Sequence, residues 1–296
     1  MEKKKNFKEP WLQRLIRWSF PWLERLVPPL ADKLFVYIFF TPFRHRAPEK
    51  EEACAREATQ TYVEYQGKKV CVYVWGDGPA VWVVHGWAGR ATQFRKFIPA
   101  LNQAGYRVIG FDGPGHGRSE GKQTHAIAFR DVLKLLEKKF GAPAAIIGHS
   151  FGGAVSLLAI AHGLSAPKLI EIGSPADRSA ILRSYLNAIN GSEVRIPYFD
   201  RYVMRQFGQP FDSFTTRQII RTLQQPLDLL LVHDEEDRDV LIAQPELLVR
   251  ENPWVRFHRT KGLGHNRILR DDGVITFCIN YIRTGNGGTL PVDAER

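Results

Sequence analysis

Eight short runs with strand-like patterning, some continuously apolar and some alternating, punctuate this chain at about 61–66, 69–75, 80–85, 106–111, 144–149, 168–173, 227–233 and 255–260. Stretches with helical spacing lie between them, at about 91–104, 123–140, 151–163, 240–251 and 266–283. Strands that alternate with helices predict an α/β fold: a mostly parallel sheet with helices on both faces. The first two runs are separated only by Gln66-Gly67-Lys68, so they read as an antiparallel hairpin at the sheet edge. Sheets of this kind bind ligands outside the carboxyl ends of their strands. The residues that follow each run are therefore where chemistry is expected.

Two stretches stand outside the alternation. The first lies between Ser174-Pro175 and Gln225-Pro226 and contains no buried-strand pattern, which is too long a stretch for a structureless loop. Ser179 to Ile189 and Thr216 to Leu223 have helical spacing, which predicts a small helical cap inserted at about 176–225. Its aromatics (Tyr185, Tyr198, Phe199, Tyr202, Phe207, Phe211, Phe214) either pack the cap or line an acyl pocket. Its arginines, Arg178, Arg183, Arg195, Arg201, Arg205, Arg217 and Arg221, either form a solvated face or meet an anionic group.

The second stretch is an N-terminal helical extension, residues 1–50, ahead of a main domain at 51–296. Trp11, Leu15, Trp18, Trp22 and Leu26 share one helical face, with Arg14, Arg17 and Arg25 mostly elsewhere. Pro21 interrupts this pattern, Pro28-Pro29 ends it, and a second helical run follows from Leu30 to Phe40. Neither run approaches the roughly 20 apolar residues that a bilayer span needs. Lys3-Lys4-Lys5 is not followed by the apolar core of a secretory signal. Two readings of the Trp face remain open: peripheral contact with a membrane interface, or packing on the body or cap.

The strongest chemical signal is Gly148-His149-Ser150-Phe151-Gly152, set between the run Ala144 to Ile147 and a helical stretch from Ala154. A G-x-S-x-G turn between strand and helix strains the backbone at its Ser and exposes the Oγ at the strand end. A serine nucleophile needs a base, an orienting acid and donors for an oxyanion. The chain offers these after further strands. Carboxylates cluster at Asp234, Glu235, Glu236, Asp237 and Asp239, His265 lies in the Gly-rich loop Lys261 to Asn266, and His85-Gly86-Trp87 makes a sharp turn upstream.

From about Tyr62 to Ile282 the chain resembles an α/β-hydrolase. The likeness rests on His85-Gly86-Trp87, Phe111 to Ser119 (FDGPGHGRS), the Ser150 turn, Asp237 with Val240 behind it, and Gly264-His265. The resemblance implies Ser150 as nucleophile, His265 as base and Asp237 as acid, with the backbone amides of Trp87 and Phe151 as the oxyanion hole. Family members usually carry Gly where Asp234 stands, and Asp177, after the preceding strand, is another place where such folds can carry the acid. The implied activity is hydrolysis of a carboxylic ester through an acyl-enzyme, with a small-molecule acyl substrate and no cofactor. The same triad would serve a thioesterase, a C–C hydrolase or an acyltransferase. A non-catalytic, hydrolase-like binding protein is the other alternative, and no triad position is missing here.

Composition narrows these choices only a little. The chain has 296 residues with 44% hydrophobic content, enough for one large α/β domain plus an insertion. Cys54, Cys71 and Cys278 are dispersed and form no C-x-x-C pair, which argues against a zinc site or a disulfide framework and fits a reducing, cytoplasmic setting. A net charge of +10 favours anionic surfaces. The basic residues accompany no nucleic-acid motif, so no nucleic-acid partner is expected. Of the other histidines, His149 inside the turn reads as structural, and His85 and His116 as loop-bonding or site-lining. His258 sits in a strand pattern. The His233 to Asp239 cluster has no second ligand group, so no metal is expected.

Overall fold

The computed structural model describes residues 11–224 and 227–285, so Lys3, Lys4, Lys5 and the Gln225-Pro226 boundary fall outside the described residues. All eight expected strands form: β1 Thr59–Tyr65, β2 Lys68–Trp75, β3 Ala80–Val84, β4 Arg107–Phe111, β5 Ala145–His149, β6 Lys168–Ile172, β7 Asp228–Asp234 and β8 Arg256–Thr260. They make one sheet in the order β1-β2-β4-β3-β5-β6-β7-β8. The β1–β2 hairpin and the β2–β4 pair are antiparallel, and every other pair is parallel. β3 has β4 on one side and β5 on the other, so the strand order reverses at β3, the place where sheets of this kind bind ligands at their carboxyl ends.

Burial follows from this position in the sheet. β3 and β5 are buried at every residue because helices cover both faces, whereas the edge strand β1 is mostly exposed or half-buried. Successive side chains feed two separate cores, as the two-residue period of a strand requires. Val72, Ile146 and Leu169 join Phe129, Val132 and Leu136 of the helix Ala126–Phe140 on one face. Tyr73, Ile147 and Ile170 join Leu101, Val274 and Cys278 on the other. Cys54, Cys71 and Cys278 are all buried free thiols, and burial pushes the Cys54 thiol up to about 11.

The helices depart from the sequence pattern in instructive places. The stretch at 91–104 divides into a 3-10 turn, Ala91–Phe94, and a helix, Phe97–Gln103. Pro99 fits the first turn of that helix, where its missing N–H is not needed. The last stretch divides at Asp271, whose carboxylate accepts from the Val274 N–H and caps the helix Asp272–Thr284. Two further helices lie outside the stretches expected from the sequence. Glu49–Arg56 starts with Glu49, Glu51 and Glu52, which suit the positive end of the helix dipole. Ile196–Phe207 takes a Pro in its first turn and ends at Gly208 with φ +70°. The expected interruption at Pro21 does not occur. The helix runs from Trp11 to Leu26 with Pro21 inside it, and Phe20 beside the proline is buried, its ring 6.3 Å from that of Phe35.

The chain forms two compact units, one combining the residues up to Phe40 with Arg178–Phe211, the other Thr41–Asp177 with Asp212 onward. In the first, the N-terminal helices and the inserted helices fold together. The Tyr185 ring meets Phe35 and Phe39 edge-on at 4.9 and 5.0 Å, and its hydroxyl donates to the Phe35 carbonyl. Phe199 and Phe211 also pack on Phe39, and Tyr202 and Phe207 on Phe40. Arg195 pairs with Asp32 at 2.9 Å, and Arg178 bonds both oxygens of Asp200. The short helices after Thr215 belong to the second unit, where the Arg217 N–H donates to the Ala176 carbonyl and its side chain pairs with Glu251. Among the described residues no helix is long and apolar enough to cross a membrane.

Candidate active site

The turn after β5 has the strained geometry that its sequence predicts. Ser150 holds φ +52° and ψ −123°, a conformation that L-residues rarely adopt, and it opens the helix Phe151–Ala161. Glycines allow this because nothing larger fits. A Cβ at Gly152 would lie 2.1 Å from the Val84 carbonyl oxygen, and one at Gly148 would lie 2.5 Å from the Gly153 Cα. The Ser150 N–H donates to the Ile172 carbonyl at 2.8 Å, tying the turn to the end of β6. Ser150 is half-buried, whereas every residue of β5 before it is buried.

β7 and β8 deliver the other groups. His265 Nδ1 lies 2.7 Å from Asp237 Oδ2. Asp237 Oδ1 accepts from the N–H groups of Asp239 and Val240. Burial alone would raise this carboxyl's pKa, but the His265 hydrogen bond and charge and the two amides hold it below its ordinary value. An ionised Asp237 places the imidazole proton on Nδ1 and leaves Nε2 as an acceptor. Gly173, the residue after β6 with φ +62°, makes room for this pair. A Cβ there would come within 3.3 Å of His265 Nδ1 and 3.4 Å of Asp237 Oδ2. Ile172 and Gly173 thus meet Ser150 on one side and the Asp237–His265 pair on the other. His149 makes a second link, its Nε2 lying 2.9 Å from the His265 carbonyl oxygen.

Among the remaining carboxylates, Asp234 has a different task. Its Oδ1 meets the N–H groups of Glu236 and Gly264, and its Oδ2 meets the Leu263 N–H and the Thr260 hydroxyl. Asp234 therefore fastens the loop that carries His265 and does not crowd Asp237. Asp177 is half-buried and feels the charge of Arg217, while the His265 ring is bonded to Asp237. Asp234→Ala leaves three amides and a hydroxyl without their acceptor, and is expected to destabilise the protein by about 2–4 kcal/mol. Urea denaturation would measure it. A midpoint unchanged from wild type would show that the loop holds without Asp234.

On the other side of Ser150, histidines brace two loops against each other. His85 Nε2 accepts from the Gly113 N–H and its Nδ1 faces the Gly86 carbonyl. His116 Nε2 accepts from the Ala88 N–H at 3.1 Å and its Nδ1 faces the Pro114 carbonyl. Burial holds both rings neutral by lowering their pKa values. This brace sits at Ala88, itself at φ +56°. Asp112 accepts from the Ala91 and Arg118 amides and the Tyr73 hydroxyl, so the Phe111 to Ser119 segment is a structural tie. The Trp87 and Phe151 rings meet edge to face at 5.4 Å, keeping the two backbone segments together. Neither the Trp87 nor the Phe151 N–H has an acceptor among the described residues.

Behind the turn lies a group that the sequence pattern does not flag. Glu171 on β6 is fully buried, and burial pushes its carboxyl up to about 8. The Ser174 hydroxyl bonds with Glu171 and donates to the Ser150 carbonyl at 2.9 Å. The Ser174 bond by itself favours the carboxylate, but the cost of burying its charge is the larger effect, so the carboxyl keeps its proton. Between pH 4.5, the ordinary value, and about 8, the unfolded chain releases a proton that the folded chain keeps. Folding stability is therefore expected to fall as pH rises through that window, by up to about 1.4 kcal/mol per unit. Glu171→Gln removes the titrating group. Denaturation midpoints near pH 5 and pH 8 should differ less for this variant than for wild type; equal differences would mean that Glu171 is ionised in the fold.

His258 stacks on Phe277 at 3.9 Å, away from this chemistry. Asp237, Asp239 and His265 bring potential ligand atoms within 4.8 Å of one another. Both oxygens of Asp237 are already committed, one to His265 and one to two amides.

The pattern of a family described as alpha/beta hydrolase fold matches residues 79–171, the stretch that runs from β3 into β6. The chain is 31% identical over 221 residues to the pimeloyl-acyl-carrier-protein methyl ester esterase of Vibrio atlanticus, covering 68% of this chain and 83% of that protein. It is 38% identical over 105 residues to the magnesium-chelatase 30 kDa subunit of Rhodobacter capsulatus, 34% of this chain and 36% of that one. It thus spans little more than a third of that subunit's length. Among solved structures, an esterase of Pyrococcus furiosus is similar in fold over 84% of this chain and all of its own, with a TM-score of 0.63 and 17% identity.

Proposed function

Because the chain belongs to the α/β-hydrolase family, we propose that it is a serine hydrolase that cleaves a carboxylic ester of a small acyl substrate. Ser150 Oγ attacks the ester carbonyl while His265 Nε2 takes its proton, and Asp237 holds the imidazole in the required tautomer. The carbonyl oxygen becomes an oxyanion that accepts from the Trp87 and Phe151 N–H groups. One such donor is worth about 3 kcal/mol where it has been removed from other enzymes. The tetrahedral intermediate collapses, the proton passes from His265 to the departing alcohol, and the acyl group stays on Ser150. Water, deprotonated by His265, then releases the acid and restores the hydroxyl.

The observation that carries this reading is the 2.7 Å bond between His265 and Asp237, held against the same β6 end that anchors the Ser150 turn. A binding protein that only shares the fold has no need of an imidazole bonded to a buried carboxylate together with a strained serine at a neighbouring strand end. The name of the Vibrio atlanticus relative specifies a methyl ester on a carrier protein, which makes esters the first substrates to try. A series of p-nitrophenyl esters of increasing chain length, with acyl-CoA thioesters in parallel, tests the class. Turnover of the esters and covalent labelling of Ser150 by a fluorophosphonate are expected. An unlabelled Ser150 together with no turnover of any donor would overturn the serine mechanism. Preference for the thioesters would keep the mechanism and change the substrate.

A further inference from the structure

The helix Trp11–Leu26 is apolar on two sides, and only one is used inside the chain. Phe20 is buried, with Ile16 and Leu23 half-buried around it. On the opposite side Trp11, Leu15, Trp18, Trp22 and Leu26 are 69, 47, 69, 57 and 75% exposed. Their spacing of three and four residues lines them up in a single stripe about 24 Å long, and Val27 and Leu30, just after the helix, are also 45 and 50% exposed. Scattered exposed apolar side chains are ordinary on a protein surface, but a contiguous stripe with three tryptophans marks an interaction site.

The charges decide what the stripe fits. Arg14, Arg17 and Arg25 are exposed on the same helix. Glu24, its one acid, is turned inward, accepting from the Ser192 N–H and hydroxyl and lying 3.9 Å from Arg195. Among the described residues, the exposed charges of this helix are therefore all basic. A second copy meeting this face would bring the exposed arginines of two such helices together, with no exposed acid among the described residues of either helix to offset them. Anionic headgroups supply the missing charge, and indole rings settle at the headgroup level, where an apolar body and a polar N–H both find partners. Too short and too basic to span, the helix is suited to lie in the interface plane. We propose that the exposed Trp11–Leu26 stripe docks the protein on an anionic lipid surface.

Docking is independent of the chemistry proposed at Ser150, so Ser150→Ala should bind vesicles like the wild type. The test is sedimentation of the full chain with phosphatidylcholine vesicles, with and without about 30% phosphatidylglycerol. The wild type is expected to partition at least about tenfold better onto the anionic vesicles at low salt, and to lose that advantage at high salt. Trp18→Ser with Trp22→Ser should weaken partition by about tenfold or more, and Arg14→Gln with Arg25→Gln should remove most of the salt-sensitive part. Both double variants should keep the wild-type thermal midpoint and ester turnover, since the replaced side chains are exposed. No sedimentation of the wild type, or equal sedimentation of both variants, overturns the proposal. So does a dimer in light scattering that the tryptophan variant dissociates while vesicle binding stays unchanged, because the stripe would then belong to a second copy.

Discussion

Ser150→Ala is expected to lower kcat on an activated ester by about 10⁴ to 10⁶ while leaving the fold intact. The size follows from the nature of the step: without Oγ no acyl-enzyme forms, and what remains is binding plus oxyanion stabilisation of attack by water. The intact fold follows from the surroundings. The backbone bonds of the turn, Ser150 N–H to Ile172 and Ser174 hydroxyl to the Ser150 carbonyl, do not involve Oγ. His265→Ala should be about as damaging, since nucleophile and base act as one unit, and the double variant should be little worse than either alone. Turnover of a p-nitrophenyl ester and the thermal midpoint measure the two halves of the expectation. Near-wild-type turnover in Ser150→Ala would place the chemistry elsewhere.

What the chain discloses before folding, and what it hides, divides by range of interaction. The central strands are legible because burial on both faces demands short apolar runs, and Ala145-Ile146-Ile147 at the start of Ala145–His149 is such a run. The turn at Ser150 is legible because Gly148 and Gly152 are demanded by contacts with immediate neighbours in the fold. The pairing of Asp237 with His265 follows from the family resemblance, whereas nothing local separates Asp237 from Asp234, three residues away. Only the fold shows that Asp234 points to the amides of Leu263 and Gly264. The same holds for His149, whose partner carbonyl lies 116 residues downstream. Pro21 misled because proline is costly within a helix, yet packing of Phe20 holds that helix together. Aromatics of the N-terminal extension and of the insertion have no visible partner in sequence because each set packs on the other.

Asp237→Asn should reduce kcat by about 10³ to 10⁴, with little change in the denaturation midpoint. An Asn oxygen can keep the Asp239 and Val240 amide bonds, so the loop stays in place. The other end of the side chain becomes an NH₂ donor facing His265 Nδ1. The imidazole then has to accept at Nδ1 and carry its proton on Nε2, where it cannot take one from Ser150. This variant separates three carboxylates with distinct surroundings. Asp234→Asn disturbs the loop bonds and should show first as lost stability, with a smaller fall in kcat. Asp177→Asn should leave kcat nearly unchanged, because Asp177 interacts with the charge of Arg217 and the His265 nitrogen is already bonded to Asp237. Steady-state kinetics on one ester for the three variants, each with a urea titration, distinguishes them. A larger kcat loss in Asp177→Asn than in Asp237→Asn would move the acid to the end of β6 and leave Ser150 and His265 in their proposed roles.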